Sequence, residues 1–310
     1  MNGDPLAGAL HDERLVIVSG KGGVGKTSVA TGIASASARS GLRTVLVTLD
    51  TGDTHHPLLD VPLEYQPYQA APRLFVSRVD AFEAVREYVR RNMPFSSLYE
   101  GIFDGAAFRN FASAAPGFEE LMSLGKLYEL CTSGDFDRVV FDAPATGHMK
   151  LLLDVPGATL RAVHVGPLNH NAGKIQDLLL DGSRTRVIIV TLAEEMAVEE
   201  AMDLERGCRA DHRMAVGPVV VNRTVPERFS VEEVAALQAM DAGTLELQEA
   251  VAAAVSEHAE QRSQNEALQA LSATSCEVVS VPRIVQASFD PGAMVDALES
   301  HLMPMIGRAV

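Results

Sequence analysis

Residues 14–36, RLVIVSGKGGVGKTSVATGIASA, limit the possible folds more than any other part of the chain. The β-branched run at residues 14–19 predicts a buried strand. A glycine-rich loop follows, then an alanine-rich segment that predicts a helix over about residues 26–39, with Gly41 as a typical terminator. This order predicts a strand joined to a helix by a loop that can bind an anion at the helix N-terminus.

The rest of the chain continues this alternation. Apolar runs predict further strands at residues 43–50, 73–79, 138–144, 186–192, 217–222 and 276–282, and the run RAVHVG predicts a short additional strand. Residues 81–135 lack strand signals and predict a helical subdomain. The pattern indicates an α/β fold with a mostly parallel sheet covered by helices on both faces. We expect a flexible tail at residues 1–13 and one domain at residues 14–310.

Composition and charge exclude several classes of protein. Hydrophobic residues make up 47% and charged residues 22%, which is typical of a globular chain. We find neither an apolar window of about 18 residues nor a signal peptide, and therefore expect a cytoplasmic protein without a transmembrane segment. The formal charge of −15 argues against a nucleic-acid partner, because such binding depends on lysines and arginines that neutralise phosphates.

The string GKGGVGKT matches the phosphate-loop pattern G-x-x-x-x-G-K-[ST] in full. Its glycines allow backbone amides to surround phosphate oxygens. We expect Lys26 to reach the β and γ phosphates of a nucleotide and Thr27 to ligate Mg²⁺. The predicted nucleotide-binding residues here are Gly20, Lys21, Gly22, Gly23, Val24, Gly25, Lys26, Thr27 and Ser28.

The string KGGVGKT, with its additional Lys21, resembles the deviant Walker A loop of a family that includes ParA, MinD, the nitrogenase iron protein, ArsA and the tail-anchored-protein targeting ATPases. In that family the first lysine reaches the partner's phosphates across a nucleotide-sandwich dimer. The resemblance implies that Lys21 is catalytic together with Lys26, in the manner of an arginine finger supplied in trans. It also implies a homodimer or a heterodimer with a paralogue.

The string DAPATGH resembles the DTAPTGH switch of ArsA and the tail-anchored-protein targeting ATPases. This implies a second switch formed by Asp142, Pro144, Gly147 and His148, in which Asp142 holds Mg²⁺ through a water. His148 is implied to be a switch residue rather than a proton acceptor.

The string LDTGDTHHP aligns Asp50 with the aspartate of the family's first switch. The resemblance implies that Asp50 activates the attacking water and also contacts Mg²⁺ through a water, with Asp53 as an alternative. Adjacent histidines can suggest a metal site, but His55 and His56 have no second pair, so we interpret them as solvated or as part of the switch loop.

Two later segments resemble the adenine-binding parts of the same family. VVVNR places Asn222 and Arg223, and VVSVPRIV places Pro282, Arg283 and Ile284, near the base. The resemblance extends from residue 14 to the C-terminus and is greatest with the compact bacterial ArsA-like group.

The resemblance implies an ATPase that uses ATP with Mg²⁺, dimerises around ATP, and couples hydrolysis to binding or release of a protein partner or a hydrophobic, membrane-protein client. A positioning ATPase like ParA or MinD is an alternative, disfavoured by the DAPATGH switch and the acidic charge. An arsenite efflux pump subunit is another, disfavoured by a single ATPase half and unmatched cysteines. No zinc is expected, because the three cysteines form no CxxC pair. The sequence leaves open whether residues 81–135 form a client groove.

Overall fold

The computed structural model describes residues 9–10, 12–49, 52–92, 117–240, 243–272 and 276–306. Their strands form one sheet in the order β3-β4-β2-β5-β1-β6-β7-β8. All neighbouring pairs are parallel except β3 with β4. The strands are β1 (Leu15–Gly20), β2 (Thr44–Leu49), β3 (Tyr68–Ala71), β4 (Leu74–Val79), β5 (Arg138–Ala145), β6 (Thr185–Leu192), β7 (Val216–Thr224) and β8 (Val278–Pro282).

Helices cover both faces of this sheet. α1 and α9 pack against each other and against one face of the sheet. α3, α4, α5 and α6 contribute side chains to the core on the opposite face. The described helices are α1 (Lys26–Arg39), α2 (Ala81–Asn92), α3 (Phe118–Thr132), α4 (Thr146–Ala162), α5 (Pro167–Leu180), α6 (Glu195–Arg206), α7 (Val231–Ala239), α8 (Leu245–Ser272) and α9 (Pro291–Leu302). The predicted α/β class, with a mostly parallel sheet between helical layers, is confirmed.

Two local features differ from the expectation. β3 was not predicted, because its sequence YQAA has no apolar run and it pairs only with β4 as an antiparallel edge strand. RAVHVG is not a strand, since α4 continues to Ala162 and an irregular segment then leads into α5. None of the described helices combines the length and apolar character needed to cross a bilayer.

The chain just before β1 is packed rather than loose. Leu10 is fully buried, and its amide donates to the carbonyl of Met305 at 2.8 Å. The buried guanidinium of Arg138 donates to the carbonyl oxygens of Leu10 and Glu13. Within the expected tail, Leu10 and Glu13 are therefore buried against the domain, whereas Asp12 is exposed.

The predicted helical subdomain is described only at its two ends, α2 and α3, because residues 93–116 lie outside the described part of the chain. Leu121, Met122 and Leu124 of α3 are buried in the core. These three side chains therefore belong to the hydrophobic core rather than to an exposed surface for clients.

Candidate nucleotide-binding site

The glycine-rich loop joins β1 to α1 and passes close to two neighbouring strands. A Cβ on Gly20 would overlap the carbonyl oxygen of Val190 in β6, and one on Gly25 would overlap the side-chain nitrogen of Asn222 in β7. Gly20 and Gly25 also have φ angles of 154° and 93°. Both observations require glycine, because a side chain would clash and would strain the backbone.

The helix that follows presents its N-terminus to the loop. Among the described residues, no side chain caps α1 at Gly25, and the first turn of α1 contains no acidic residue. Its first backbone amides are therefore available to an anion, and the helix dipole favours negative charge there. Gly22 and Gly23 are exposed at the crest of the loop.

Lys26, Thr27 and Asp142 meet at this helix N-terminus. The Nζ atom of Lys26 donates to the carbonyl oxygen of Lys21 at 3.1 Å, so the lysine lies over the loop. The hydroxyl of Thr27 donates to Oδ2 of Asp142 at 2.6 Å. This contact follows from the sheet, because β1 and β5 are parallel neighbours with Val18 paired to Asp142.

Burial perturbs the charges of this cluster. Desolvation lowers the pKa of Lys26, and the nearby carboxylate of Asp142 opposes that shift. Desolvation raises the pKa of Asp142, against the hydrogen bond from Thr27 and the charge of Lys26. Each group loses hydration and is partly compensated by the other, which is typical of a site that binds a charged ligand.

The oxygen atoms of Thr27 and Asp142 fit a magnesium ion. Asp142 Oδ1 is buried and has no hydrogen-bond partner among the described residues. A buried carboxylate oxygen without a donor is costly, and a metal-bound water would satisfy it. Magnesium commonly takes one or two protein oxygens together with substrate phosphates and waters. The described residues contain no cluster of three or more His, Cys, Asp or Glu that could hold a metal ion.

Lys21 is turned away from Lys26 and toward α6. Its Nζ atom lies 2.7 Å from Oε1 of Glu200, and the two side chains are 38% and 41% exposed. The sequence did not single out Glu200, because α6 carries several acidic residues with similar surroundings in the sequence. The tertiary structure selects this one as the partner of the second lysine.

The segment predicted as the second switch joins a strand to a helix. The carbonyl of Pro144 accepts a hydrogen bond from the hydroxyl of Ser19 in β1 at 3.2 Å. β5 ends at Ala145, so Gly147 and His148 lie in the first turn of α4. His148 Nε2 is 3.7 Å from Oε1 of Glu120 in α3. Its implied role as a switch residue stays a prediction.

His148 also lines a cavity of about 300 Å³ between the end of β2 and helices α2, α3 and α4. Its walls include Leu49, Phe82, Glu119 and Leu152. The cavity thus borders both predicted switch segments and the described ends of the helical region.

The residues predicted near adenine lie at the ends of β7 and β8. Asn222 is buried, and its Nδ2 donates to the carbonyl of Val24 at 2.9 Å, which ties β7 to the phosphate loop. Arg223 follows it with a positive φ of 59°. The amide of Arg283 donates to the carbonyl of Thr224, and its guanidinium pairs with Glu260 of α8.

Pro282 is paired with Thr224 across β7 and β8, and Ile284 packs against the core formed by α1 and α9. Of this predicted set, Asn222 donates a hydrogen bond to the phosphate loop, whereas the others lie at the ends of the neighbouring strands. Their roles toward adenine stay predictions.

Asp50 lies outside the described residues, so its implied role stays a prediction. β2 ends just before it at Leu49, and Thr48 is paired with Asp142. The solvated interpretation of His56 is wrong, because the side chain is 1% exposed. Thr31 in α1 contacts His56. Nothing in the sequence singled out Thr31, because it lies within an ordinary helical pattern.

A strand, a glycine loop, a helix with Lys26 and Thr27 at its start, and a carboxylate from the adjacent strand together define a P-loop nucleotide hydrolase. A family model described as "Anion-transporting ATPase" matches residues 13–166, about half of the chain, including Lys21 and the segment from Asp142 to His148. The chain belongs to this family of ArsA-like ATPases and is an ATPase.

Individual relatives agree with this assignment. The chain is 28% identical over 244 residues to ATPase BagA of Mycobacterium tuberculosis, covering 73% of this chain and 69% of that protein. It is 31% identical over 199 residues to the arsenical pump-driving ATPase of Escherichia coli, covering 64% and 32%. It is 22% identical over 274 residues to ATPase GET3C of Arabidopsis thaliana, covering 72% and 70%.

Proposed function

We propose that the protein is an ATP-driven switch that closes as a dimer around ATP, opens after hydrolysis, and thereby binds and releases a protein partner or a hydrophobic client. The observation that carries this proposal is the divergence of the two loop lysines. Lys26 lies over its own phosphate loop, whereas Lys21 points outward to a solvent-exposed ion pair with Glu200. A lysine in that position is available to a second subunit.

Within one subunit, the phosphate loop and Lys26 bind the nucleotide phosphates. Thr27 and Asp142 would hold Mg²⁺, Thr27 through its hydroxyl and Asp142 through a water, and the ion would neutralise negative charge on the phosphates. Asp50 or, failing that, Asp53 positions the attacking water. Phosphoryl transfer depends mainly on such positioning and on charge stabilisation rather than on covalent chemistry by the protein.

The Lys21–Glu200 ion pair is weak enough for Lys21 to leave Glu200 and bind another negative group. Ion pairs between exposed side chains contribute about 0–1 kcal/mol. Lys21 can therefore leave Glu200 when the phosphates of a facing subunit offer a denser negative charge. A cation supplied in this way stabilises the transition state only in the closed dimer, which makes hydrolysis depend on assembly.

Transmission to a client is supported by the contact of His148 with Glu120. This contact joins the first turn of α4, directly after Asp142, to α3. A backbone change near Gly147 on loss of the γ phosphate would move His148 relative to α3 across the cavity between them. We propose that this movement changes the affinity of the helical region for its partner, and that the protein works in the cytoplasm.

A trapped complex tests the proposal. An Asp50→Asn variant should retain ATP, lose at least about 100-fold in hydrolysis rate, and show a dimer mass by light scattering when ATP is added. Adding Lys21→Ala to this variant should leave ATP bound and return the mass to that of a monomer. Lys174→Ala, at an exposed lysine of α5, is the matched control and should remain dimeric.

Two results would contradict the proposal. Normal hydrolysis by the Asp50→Asn protein would remove Asp50 from the mechanism. Normal hydrolysis by a monomeric Lys21→Ala protein would show that the outward lysine does not act across a dimer. Mass spectrometry of proteins retained by the tagged Asp50→Asn form with ATP, compared with ADP, would identify the client.

A further inference from the structure

Residues 54–63, which follow the segment containing Asp50, form a compact turn closed by backbone hydrogen bonds. The amide of Leu63 donates to the carbonyl of Thr54 at 2.9 Å, and the amide of His56 donates to that of Val61 at 2.9 Å. Leu58 and Leu63 are buried in the same core cluster as Val29 and Ile33 of α1. The turn is therefore fixed against the helix that starts at the phosphate loop.

The ring of His56 holds this turn from inside. Its Nδ1 atom accepts hydrogen bonds from the amides of Leu58 at 3.3 Å and Leu59 at 3.2 Å. A neutral imidazole that accepts at Nδ1 carries its proton on Nε2. The Nε2 atom lies 3.4 Å from the hydroxyl oxygen of Thr31. Burial lowers the pKa of His56 to about 4, so the ring is neutral at physiological pH.

The hydroxyl of Thr31 has only one proton, and it is used elsewhere. It donates to the backbone carbonyl of Thr27 at 2.6 Å. Thr31 can therefore only accept from His56, which agrees with a proton on Nε2. The hydroxyl of Thr27 in turn donates to Asp142. One continuous series of contacts thus runs from Asp142 through Thr27 and Thr31 to the turn closed by His56.

We propose that His56 and Thr31 are positioning residues for ATP hydrolysis, which hold the segment after β2 in register with the phosphate loop. β2 ends at Leu49, and the His56–Thr31 contact holds the turn at residues 54–63 against α1. The inference rests on the proposed function, because Asp50, the candidate water-positioning residue, lies between β2 and this turn in the sequence. It assigns to His56 a role in rate rather than in nucleotide affinity.

Substitutions that remove the His56–Thr31 contact from either side test this inference. His56→Asn keeps an acceptor near the position of Nδ1 for the turn but cannot reach Thr31. Thr31→Val keeps the shape and removes the hydroxyl, whereas Thr31→Ser restores it. Thr159→Val is the matched control, because Thr159 of α4 makes the same bond to a carbonyl four residues earlier, at 2.9 Å from Val155.

We expect His56→Asn and Thr31→Val each to lower kcat about tenfold or more, as misplacement of a reacting group does, with ATP affinity within about twofold. The double variant should be no slower than the slower single variant, because both changes remove the same contact. Thr31→Ser and Thr159→Val should keep normal kcat. Three results would overturn the assignment. They are an unchanged kcat in the two single variants, a double variant whose kcat falls by the product of the single effects, and a loss of ATP affinity as large as the loss of kcat.

Hydrogen exchange separates failure of this inference from failure of the proposed function. In Thr31→Val, the amides of Leu58 and Leu59 should exchange faster than in the wild-type protein, and bound ATP analogue should no longer protect them. Unchanged exchange would overturn the positioning role even if Asp50→Asn is inactive. Normal hydrolysis by Asp50→Asn would instead refute the role of Asp50, while altered exchange would still support the contact.

Discussion

At the scale of single residues, burial decides which side chains carry charge or react. Burial raises the pKa of the Cys131 thiol to about 12 and that of Cys208 to about 11, so both are protonated at neutral pH. The thiolate is the form that binds metals and attacks electrophiles. These two cysteines, which are buried, are therefore structural.

His56 predicts a loss of stability in acid. The unfolded chain binds a proton at this residue below about pH 6.5, whereas the folded chain binds it only near pH 4, so the free energy of unfolding decreases as the pH falls through this window. The loss in the free energy of unfolding reaches about 3 kcal/mol near pH 4. Above about pH 6.5 the stability that the neutral, buried ring provides is fully present. Urea unfolding of the wild-type protein and of His56→Asn from pH 7.5 to 4.5 measures it. Equal pH slopes for both proteins would contradict the prediction.

The candidate site shows how far single residues could be predicted. Lys26, Thr27 and Asp142 were predicted because a phosphate-binding loop and a polar strand end have local patterns, and the structure places the three residues together. The contacts of Glu200 and Thr31 could not be predicted, because they depend only on which element packs beside each residue. His56 was interpreted as solvated or as part of the switch loop, and its burial against α1 could not be predicted, because the packing of its turn is a tertiary event.

At the scale of elements, α6 supplies Glu200, the ion-pair partner of the outward-pointing Lys21. Glu200→Gln removes one charge of the pair and should release Lys21 for the partner subunit of the proposed dimer. Because an exposed pair contributes at most about 1 kcal/mol, ATP-dependent dimers should tighten by no more than about fivefold. Sedimentation with ATP measures this, ideally in the Asp50→Asn background. Glu199→Gln, at the adjacent exposed residue, is the control.

The contrary outcome for Glu200 is equally specific. If Glu200→Gln weakens the ATP-dependent dimer while Glu199→Gln does not, Glu200 itself contributes to the interface. In that case Lys21 would act while it is still paired with Glu200 of α6, and the ion pair would serve to place the lysine correctly.

Strands were easier to predict than their boundaries and connections. All six residues of β1 are buried, so its apolar run is continuous and unambiguous. The edge strand β3 has one neighbour and partly exposed residues, and gives no such signal. The start of α4 at Thr146 was also unpredicted, because a Gly-His pair is typical of a loop as much as of a first helical turn.

At the scale of the whole molecule, a segment before β1 and a segment after α9 stabilise each other. Leu10 forms an isolated bridge with Ile306, and both belong to the core around α1. Arg138 of β5 joins this region through the carbonyl of Leu10 and the hydroxyl of Ser37. Residues far apart in the chain thus close one face of the sheet.

Because Leu10 contributes to this closure, a single substitution there should greatly reduce the stability of the fold. Leu10→Ala removes a fully buried side chain and should lower the free energy of unfolding by about 2–5 kcal/mol, with ATP affinity unchanged because the phosphate loop is not touched. Leu245→Ala, at a leucine that is 68% exposed, should have little effect. Denaturant titration distinguishes them, and equal midpoints for the two variants would refute the role of Leu10.

The sequence by itself determined the fold class, the phosphate loop and the ATPase family, because strand burial, glycine geometry and the Lys26–Thr27 pair are imposed by residues close together in the chain. Only the tertiary structure decided that Lys21 pairs with Glu200 and that His56 reaches Thr31. The reason is physical: these contacts join elements whose separation in sequence carries no information about their distance, which is set by the order of strands in the sheet and by the helices packed against it.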